Sequence, residues 1–391
     1  MGNFTDIINA INSEGEIEIP VSELESLLSN AGMDAEHIVV HLDGEKAILN
    51  RKNAEPKPTE FKHEYVFPDF FGKLRALVAA AVKGQGSGNI LLSGPMGTGK
   101  SELVHELCKE FGVKCYQING SESLIPSDFY GMMTVDVKDG ASITRFERGP
   151  LYNAFLEGTK LDADGNQELD AEGNPIVVGP PAIFFLDEFA AMIPQTFLGI
   201  FNRVLEIPRD GSPKSRTMEV AADGGKVVKS HPGMMVFLAG NTVGAGNGGK
   251  FSTIYTAQGN RMDESTRSRI TSSYRVGYNL KAERSLLQSA FNDDLEVERM
   301  VKFVDDLRNM YDNGSGVTTP VSTRAIVNII RLYRMYKGEG ISNPLTEAIR
   351  DSVYNMLAEA DKHSWNEEVR VVYGVNFQEE DMKKKGEYRY F

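Results

Sequence analysis

The chain has 391 residues, with 42 Lys or Arg against 55 Asp or Glu and a formal net charge of −13. That acidic surplus repels a phosphate backbone, and without a basic, aromatic-interleaved stripe it argues against nucleic acid as a partner. With 41% hydrophobic and 25% charged residues the composition is that of an ordinary globular chain, long enough for two or three domains. No run of about 18 apolar residues is present to cross a bilayer, and no basic region followed by an apolar core opens the sequence, so a cytoplasmic protein with no membrane partner is expected. Cys108 and Cys115 are too few, and wrongly spaced, for a disulfide framework or a zinc site.

Residues 1–53 read as a small α+β N-terminal module. EIEIPV alternates like a strand, Ser22 and Glu25 form a capping box for a short helix in ELESLLSNAG, and HIVVHL and KAIL flank Asp43-Gly44 as a hairpin. The proline-bearing stretch at 54–60 reads as a linker.

From 61 to 278 short apolar runs alternate with helical patterns, the signature of an α/β domain with a largely parallel sheet. NILLSG, KCYQING, AIFFLDE and MMVFLAGN are nearly continuous in apolar character, as strands covered on both faces should be. Residues 279–364 instead carry apolar positions at helical spacing, such as Val297, Met300, Val301, Val304 and Leu307, and predict a helical subdomain followed by a C-terminal tail, 365–391. Within 159–181 lies a short duplication, LDADGNQE then LDAEGNPI. A calcium loop would need Gly and Glu where Gln167 and Gly173 stand, so the pair is read as two turns of an exposed hairpin.

The stretch Gly94, Pro95, Met96, Gly97, Thr98, Gly99, Lys100, Ser101 matches G-x-x-x-x-G-K-[ST] between a strand and a helix. Backbone N–H groups of such a turn can surround a β-phosphate, Lys100 can reach the β- and γ-phosphates, and the Ser101 hydroxyl can hold Mg²⁺. Asp187 and Glu188 end the strand AIFFLDE, where Asp187 can orient the magnesium shell and Glu188 can polarise an attacking water. Asn241 ends the next strand; its amide can bond the γ-phosphate or the water, or it can simply make a turn.

In this order, together with an arginine pair in DESTRSRI, these motifs resemble AAA+ ATPases over about residues 61–360. RFERGPLYNAF, RTMEVAADGGKVVKSHPGMMVFLAGNT and GNRMDESTRSRI are similar to the MoxR branch with its CobS-like and CbbQ/NorQ-like members. The resemblance implies a P-loop AAA+ core, a helical lid, ATP and Mg²⁺ as ligands, hydrolysis of ATP, and a homo-oligomeric ring, usually a hexamer. It implies that Arg269, with Arg267 as second candidate, reaches a neighbour's γ-phosphate, and that Arg324 in VSTRAIVNI is the nucleotide-sensing arginine of the lid. Such rings remodel a protein client or assist metal or cofactor insertion, commonly with a partner bearing a von Willebrand A type domain. The hairpin DVKDGASITRF resembles an insertion that family members direct toward the ring pore, or is an ordinary edge hairpin. The same ATP site would also serve a nucleic-acid motor, or a nucleotide-gated scaffold with slow turnover. The glycine-rich TVGAGNGGKFSTIY is expected to carry the chain from Asn241 toward Arg269. The insertion at 159–181 is either a partner contact or a tolerated surface insertion.

Overall fold

The computed structural model describes the strands at 16–20, 38–43 and 46–51, and residues 67–138, 141–206, 215–241, 264–291 and 293–377. The linker 54–60, the capping box at Ser22 and the glycine-rich stretch after Asn241 lie outside the described residues. The chain divides into two compact units, Met1–Glu64 and Tyr65–Phe391.

The first unit contains β1 (Glu16–Pro20), β2 (Ile38–Asp43) and β3 (Lys46–Arg51), antiparallel in the order β1-β3-β2. Asp43 is paired with Lys46, which places the hairpin where the Asp43-Gly44 signal put it.

The second unit is built on a five-stranded parallel sheet. Helix α1 (Phe71–Val82) precedes β4 (Gly88–Ser93), then come α2 (Lys100–Phe111), β5 (Cys115–Asn119), α3 (Pro126–Tyr130) and the hairpin β6 (Gly131–Lys138) and β7 (Ala141–Arg148). After α4 (Pro150–Leu156) follow β8 (Ile183–Asp187), α5 (Pro194–Val204), the hairpin β9 (Thr217–Val220) and β10 (Lys226–Lys229), β11 (Met235–Gly240), α6 (Glu264–Ser268) and β12 (Ser272–Arg275). The sheet order is β12-β4-β11-β8-β5, all pairs parallel. Every residue of β4 and β11 is buried, because helices cover both faces. Alternation along the strands divides the core. Leu91, Phe184, Leu186 and Leu238 meet α4 and α5 through Leu151, Phe155 and Phe201 on one face, while Ile90, Leu92, Phe185 and Phe237 meet α1 and α2 through Leu74, Leu103 and Leu107 on the other. Each such side chain contributes about 1.5–3 kcal/mol on burial, so neither face could be left uncovered.

The duplicated segment folds into two matching turns. Asp162 Oδ1 accepts from the backbone N–H of Asp164 and Asn166, and Asp170 Oδ1 from that of Asn174, with Gly165 and Gly173 both at φ 78°. It does not project freely: Arg148 donates to Gly165 O, and the Gln167 amide exchanges hydrogen bonds with the Lys229 backbone on β10.

Beyond β12 the chain is helical: α7 (Leu280–Ala290), α8 (Asp294–Asn313), α9 (Thr323–Gly338), α10 (Pro344–Ser352) and α11 (Glu359–Tyr373). The first three have side-chain caps, with Asn279, Asp293 and Ser322 accepting from Ala282, Leu295 and Ala325 N–H. One expectation is corrected. The helical region does not end at 364 with a tail after it, because Trp365, Val369 and Phe377 are buried and Trp365 packs edge-on against Phe303 of α8. The apolar residues of α11 that carry that burial are Trp365 and Val369, four residues apart on a polar helix whose other buried positions are Asp361 and Asn366. That is too little apolar periodicity to read from sequence.

Candidate nucleotide site

β4, β8 and β11 end together: Ser93 pairs with Gly240 and Leu186 with Leu238, so Gly94, Asp187 and Asn241 leave the sheet at one carboxyl edge. In open parallel sheets this is the edge where ligands bind. Gly94, Gly97 and Gly99 adopt φ of 154°, 69° and 83°. A methyl group on Gly94 would lie 1.9 Å from Val276 O, and one on Gly97 would lie 2.7 Å from Ser322 Cβ. Glycine is therefore required for conformation and for space. Thr98 Oγ donates to Pro95 O at 3.0 Å and closes the turn. Helix α2 then starts at Lys100 with its first N–H groups at the loop, and a left-handed Gly112 stops it.

The side chains of five expected site residues, Lys100, Ser101, Asp187, Glu188 and Asn241, belong to one connected set. The Lys100 ammonium, buried, donates to Gly94 O at 2.9 Å, Pro95 O at 2.8 Å and Asn241 Oδ1 at 3.4 Å. Asn241 Nδ2 donates to Glu188 Oε2 at 3.3 Å. Ser101 Oγ donates to Asp187 Oδ2, and Asp187 Oδ1 accepts from Glu188 N at 3.0 Å. Glu188 itself has left the strand. It adopts φ 52°, an unusual conformation for a non-glycine residue, and starts a 3₁₀ turn at Phe189–Ala191. Gly120, at the end of β5, makes room for it: a Cβ there would lie 2.3 Å from Glu188 O.

Burial lowers the pKa of Lys100, against the opposing pull of Glu188 and Asp187, with Arg324 adding to the lowering. Burial also raises the pKa of Glu188; the Lys100 charge works against this, Asp187 with it, and Arg324 against it. The Arg324 charge is thus felt by both groups. Arg324 is the second residue of α9, and the Gly97 backbone packs on Ser322 and the Arg324 Cβ, so the helical region's α9 abuts the phosphate loop.

Arg269 lies elsewhere. Its backbone carbonyl accepts from the Asn89 side chain at 2.7 Å, at the amino end of β4, and its Nη1 donates to Ser265 O at 2.8 Å. Asn89 and Gly94 are five residues apart along an extended strand, roughly 16 Å. Arg267 is exposed on α6, just before it. Neither arginine is brought to the loop from Gly94 to Ser101 of this chain.

Several residues at these two ends escaped the sequence reading. Asn89 is fully buried and donates through Nδ2 to Leu205 O as well as Arg269 O, both at 2.7 Å. Arg216 is buried beside it, donating to Val204 O at 2.6 Å and Gly88 O at 3.3 Å, its pKa pushed down to about 10 by desolvation. In the helical region Glu283 and Arg308 form a buried bidentate pair at 2.7 and 2.8 Å. An asparagine interrupting an otherwise apolar strand was the one visible signal among them.

Residues 89–270 match the family model for the AAA domain (dynein-related subfamily). An uncharacterized protein of Staphylococcus aureus strain NCTC 8325 / PS 47 is 27% identical over 278 residues, covering 69% of this chain and 84% of that protein. The protein of strain USA300 is 26% identical over the same shares. Among solved structures, the Holliday junction branch migration motor RuvB of Thermotoga maritima matches over 76% of this chain and 72% of its own, with a TM-score of 0.41 and 12% identity. Cdc6p of Pyrobaculum aerophilum matches over 77% and 70%, with a TM-score of 0.41 and 13% identity. A parallel sheet with a glycine-rich loop at its carboxyl edge, followed by a helical C-terminal region, is the α/β P-loop architecture, and over residues 89–270 the chain is similar to the AAA domain family.

Proposed function

We propose that this chain is a ring-forming ATPase of the MoxR branch that hydrolyses ATP to ADP and phosphate. In this reading the energy goes into remodelling a protein client or assisting metal or cofactor insertion. The observation that carries it is the connected set at the sheet's carboxyl edge: a buried ammonium, a carboxylate bonded to a serine hydroxyl, and a second carboxylate held by an asparagine amide.

The donor set suits both ligands. Gly94, Gly97 and Gly99 admit a phosphate close to the backbone, and Lys100 supplies a positive charge at a helix N-terminus. Ser101 Oγ and the Asp187 carboxylate are hard oxygen ligands suited to Mg²⁺, which when bound neutralises charge on the β- and γ-phosphates. Glu188, its pKa raised by burial, accepts a proton from the attacking water, and Asn241 holds that carboxylate's orientation. Arg324 approaches from the helical region of the same subunit. Arg269, or Arg267 beside it, at the opposite end of β4, is offered to the site of a second copy. A trans-acting arginine is worth about 10³–10⁵ in rate where it has been removed from other phosphoryl-transfer sites. That requirement ties turnover to a homo-oligomeric ring, which the family resemblance makes a hexamer.

Mixed assemblies test the reading. Lys100→Ala and Arg269→Ala proteins should each be inactive alone and recover part of the ATPase activity when mixed, because some interfaces then pair an intact loop with an intact arginine. Full activity of Arg269→Ala alone would remove the shared site. Strong stimulation by DNA or RNA at low salt would move the reading to a nucleic-acid motor.

A further inference from the structure

A path of contacts runs from the backbone of the phosphate loop, through the interior of the helical region, to the helix that bears Arg324. The Tyr278 hydroxyl donates to Met96 O at 3.3 Å. Arg308 stacks on the other part of that side chain, its Cζ 3.7 Å from the Tyr278 ring centroid. The guanidinium is then fixed on every side: Nη1 and Nη2 donate to the Glu283 carboxylate at 2.7 and 2.8 Å, and Nε donates to Val321 O at 2.8 Å. Glu283 accepts a further hydrogen bond from the Thr323 hydroxyl. Val321 and Thr323 flank Ser322, the N-cap of α9, and Arg324 follows directly.

Glu283 is 2% exposed and Arg308 6%. Replacing such a pair with well-packed apolar residues is often neutral for stability, so fold stability alone does not account for it. What the pair does supply is direction. A planar fork with a carboxylate, a carbonyl and an aromatic face around it has one orientation, and that orientation sets where α9 begins.

We propose that Tyr278 and Arg308 are positioning residues for the nucleotide: they link the carbonyl of Met96 to the start of α9, so that Arg324 is seated by the shape of the phosphate loop. This rests on the ATP reading given above. Nothing in the path touches the reacting atoms. Its effect is on how tightly the triphosphate is held between the loop and Arg324, and by reciprocity nucleotide binding draws α9 toward the loop.

The test is a double-mutant cycle on binding of the non-hydrolysable analogue AMP-PNP with Mg²⁺, measured by calorimetry on the full chain. Tyr278→Leu should weaken binding by about 5-fold or more, the lower end of typical coupling, and Tyr278→Phe, which keeps the ring and loses only the hydroxyl, by less. In an Arg324→Ala background the Tyr278→Leu effect should shrink to near unity. Arg308→Lys, which keeps the charge but not the fork, should resemble Tyr278→Leu; the single tryptophan, Trp365, buried against Phe303, reports by its fluorescence whether the helical core is intact. A Tyr278→Leu protein that binds as the parent does, or one whose loss is undiminished beside Arg324→Ala, overturns the inference alone. A parent protein that does not bind AMP-PNP overturns the ATP reading and this inference with it.

Discussion

Replacing Asn89 with leucine removes one side chain that holds two elements at the amino end of the sheet. Its Nδ2 donates to Leu205 O after α5 and to Arg269 O before β12, both at 2.7 Å, and the residue is fully buried. Leucine branches at Cγ as asparagine does and is no smaller, so no cavity is left, and hydrogen bonding decides the outcome. Two carbonyls lose a buried donor, at about 1–3 kcal/mol each. Against this, Asn89 Oδ1 accepts from no protein donor among the described residues, and leucine relieves that buried acceptor, by a similar amount for one group. The net loss should be about 1–3 kcal/mol, read as a lower urea midpoint with an unchanged slope. Turnover should separate the two ends of β4. Under the function proposed above, the loop from Gly94 to Ser101 is untouched, so KM for ATP should stay near the parent value, whereas kcat should fall because Arg269 is no longer held in place. A stability change within about 0.5 kcal/mol, or a rise in KM with kcat unchanged, would refute this account of Asn89.

Three further outcomes follow from the same geometry. Gly97→Ala forces a side chain onto φ 69° and to 2.7 Å from Ser322 Cβ, so AMP-PNP binding should weaken at least tenfold; calorimetry showing parental affinity would contradict the packing of α9 on the loop. Because burial raises the Glu188 pKa, this carboxylate takes up its proton at higher pH than an exposed one, so the acid limb of kcat/KM should lie above the ordinary carboxylate value of 4.5. A profile flat down to that value would speak against Glu188 as the base. His231 is buried and its Nδ1 accepts from Gly233 N at 2.8 Å, so burial holds its pKa below the usual 6.5 against the opposing effect of Gly179. The folded state then binds fewer protons than the unfolded chain below pH 6.5, and stability falls as pH drops through that window. Thermal midpoints of His231→Gln should be less sensitive to pH there, and parallel curves for variant and parent would sink the assignment.

How much of this could be read from sequence depended on whether the signal was local. The loop from Gly94 to Ser101 and the pair Asp187-Glu188 are contiguous, and each follows an apolar run that marks a buried strand, so type and place were legible together. Asn241 was legible only as the end of a strand; its contacts to Lys100 and Glu188 depend on the order β4-β11-β8. The path through Tyr278, Arg308, Glu283 and Thr323 was not legible. Glu283 and Arg308 lie 25 positions apart on two helices where charged residues normally face solvent, and nothing in their spacing distinguishes a buried pair from a surface one. Asn89 was visible but unreadable, since a single amide at the head of NILLS reads as a blemish in a strand until the carbonyls it serves are seen.

In the function proposed above, Glu188 activates water at a site that binds ATP through the loop from Gly94 to Ser101. Glu188→Gln keeps the size of the side chain and an acceptor for the Asn241 amide while removing the base. The measurement is ATP turnover by Glu188→Gln beside its equilibrium binding of ATP with Mg²⁺. Turnover should fall by at least about 10²-fold, the scale of a lost general base, with binding retained; turnover equal to that of the parent protein would contradict the account.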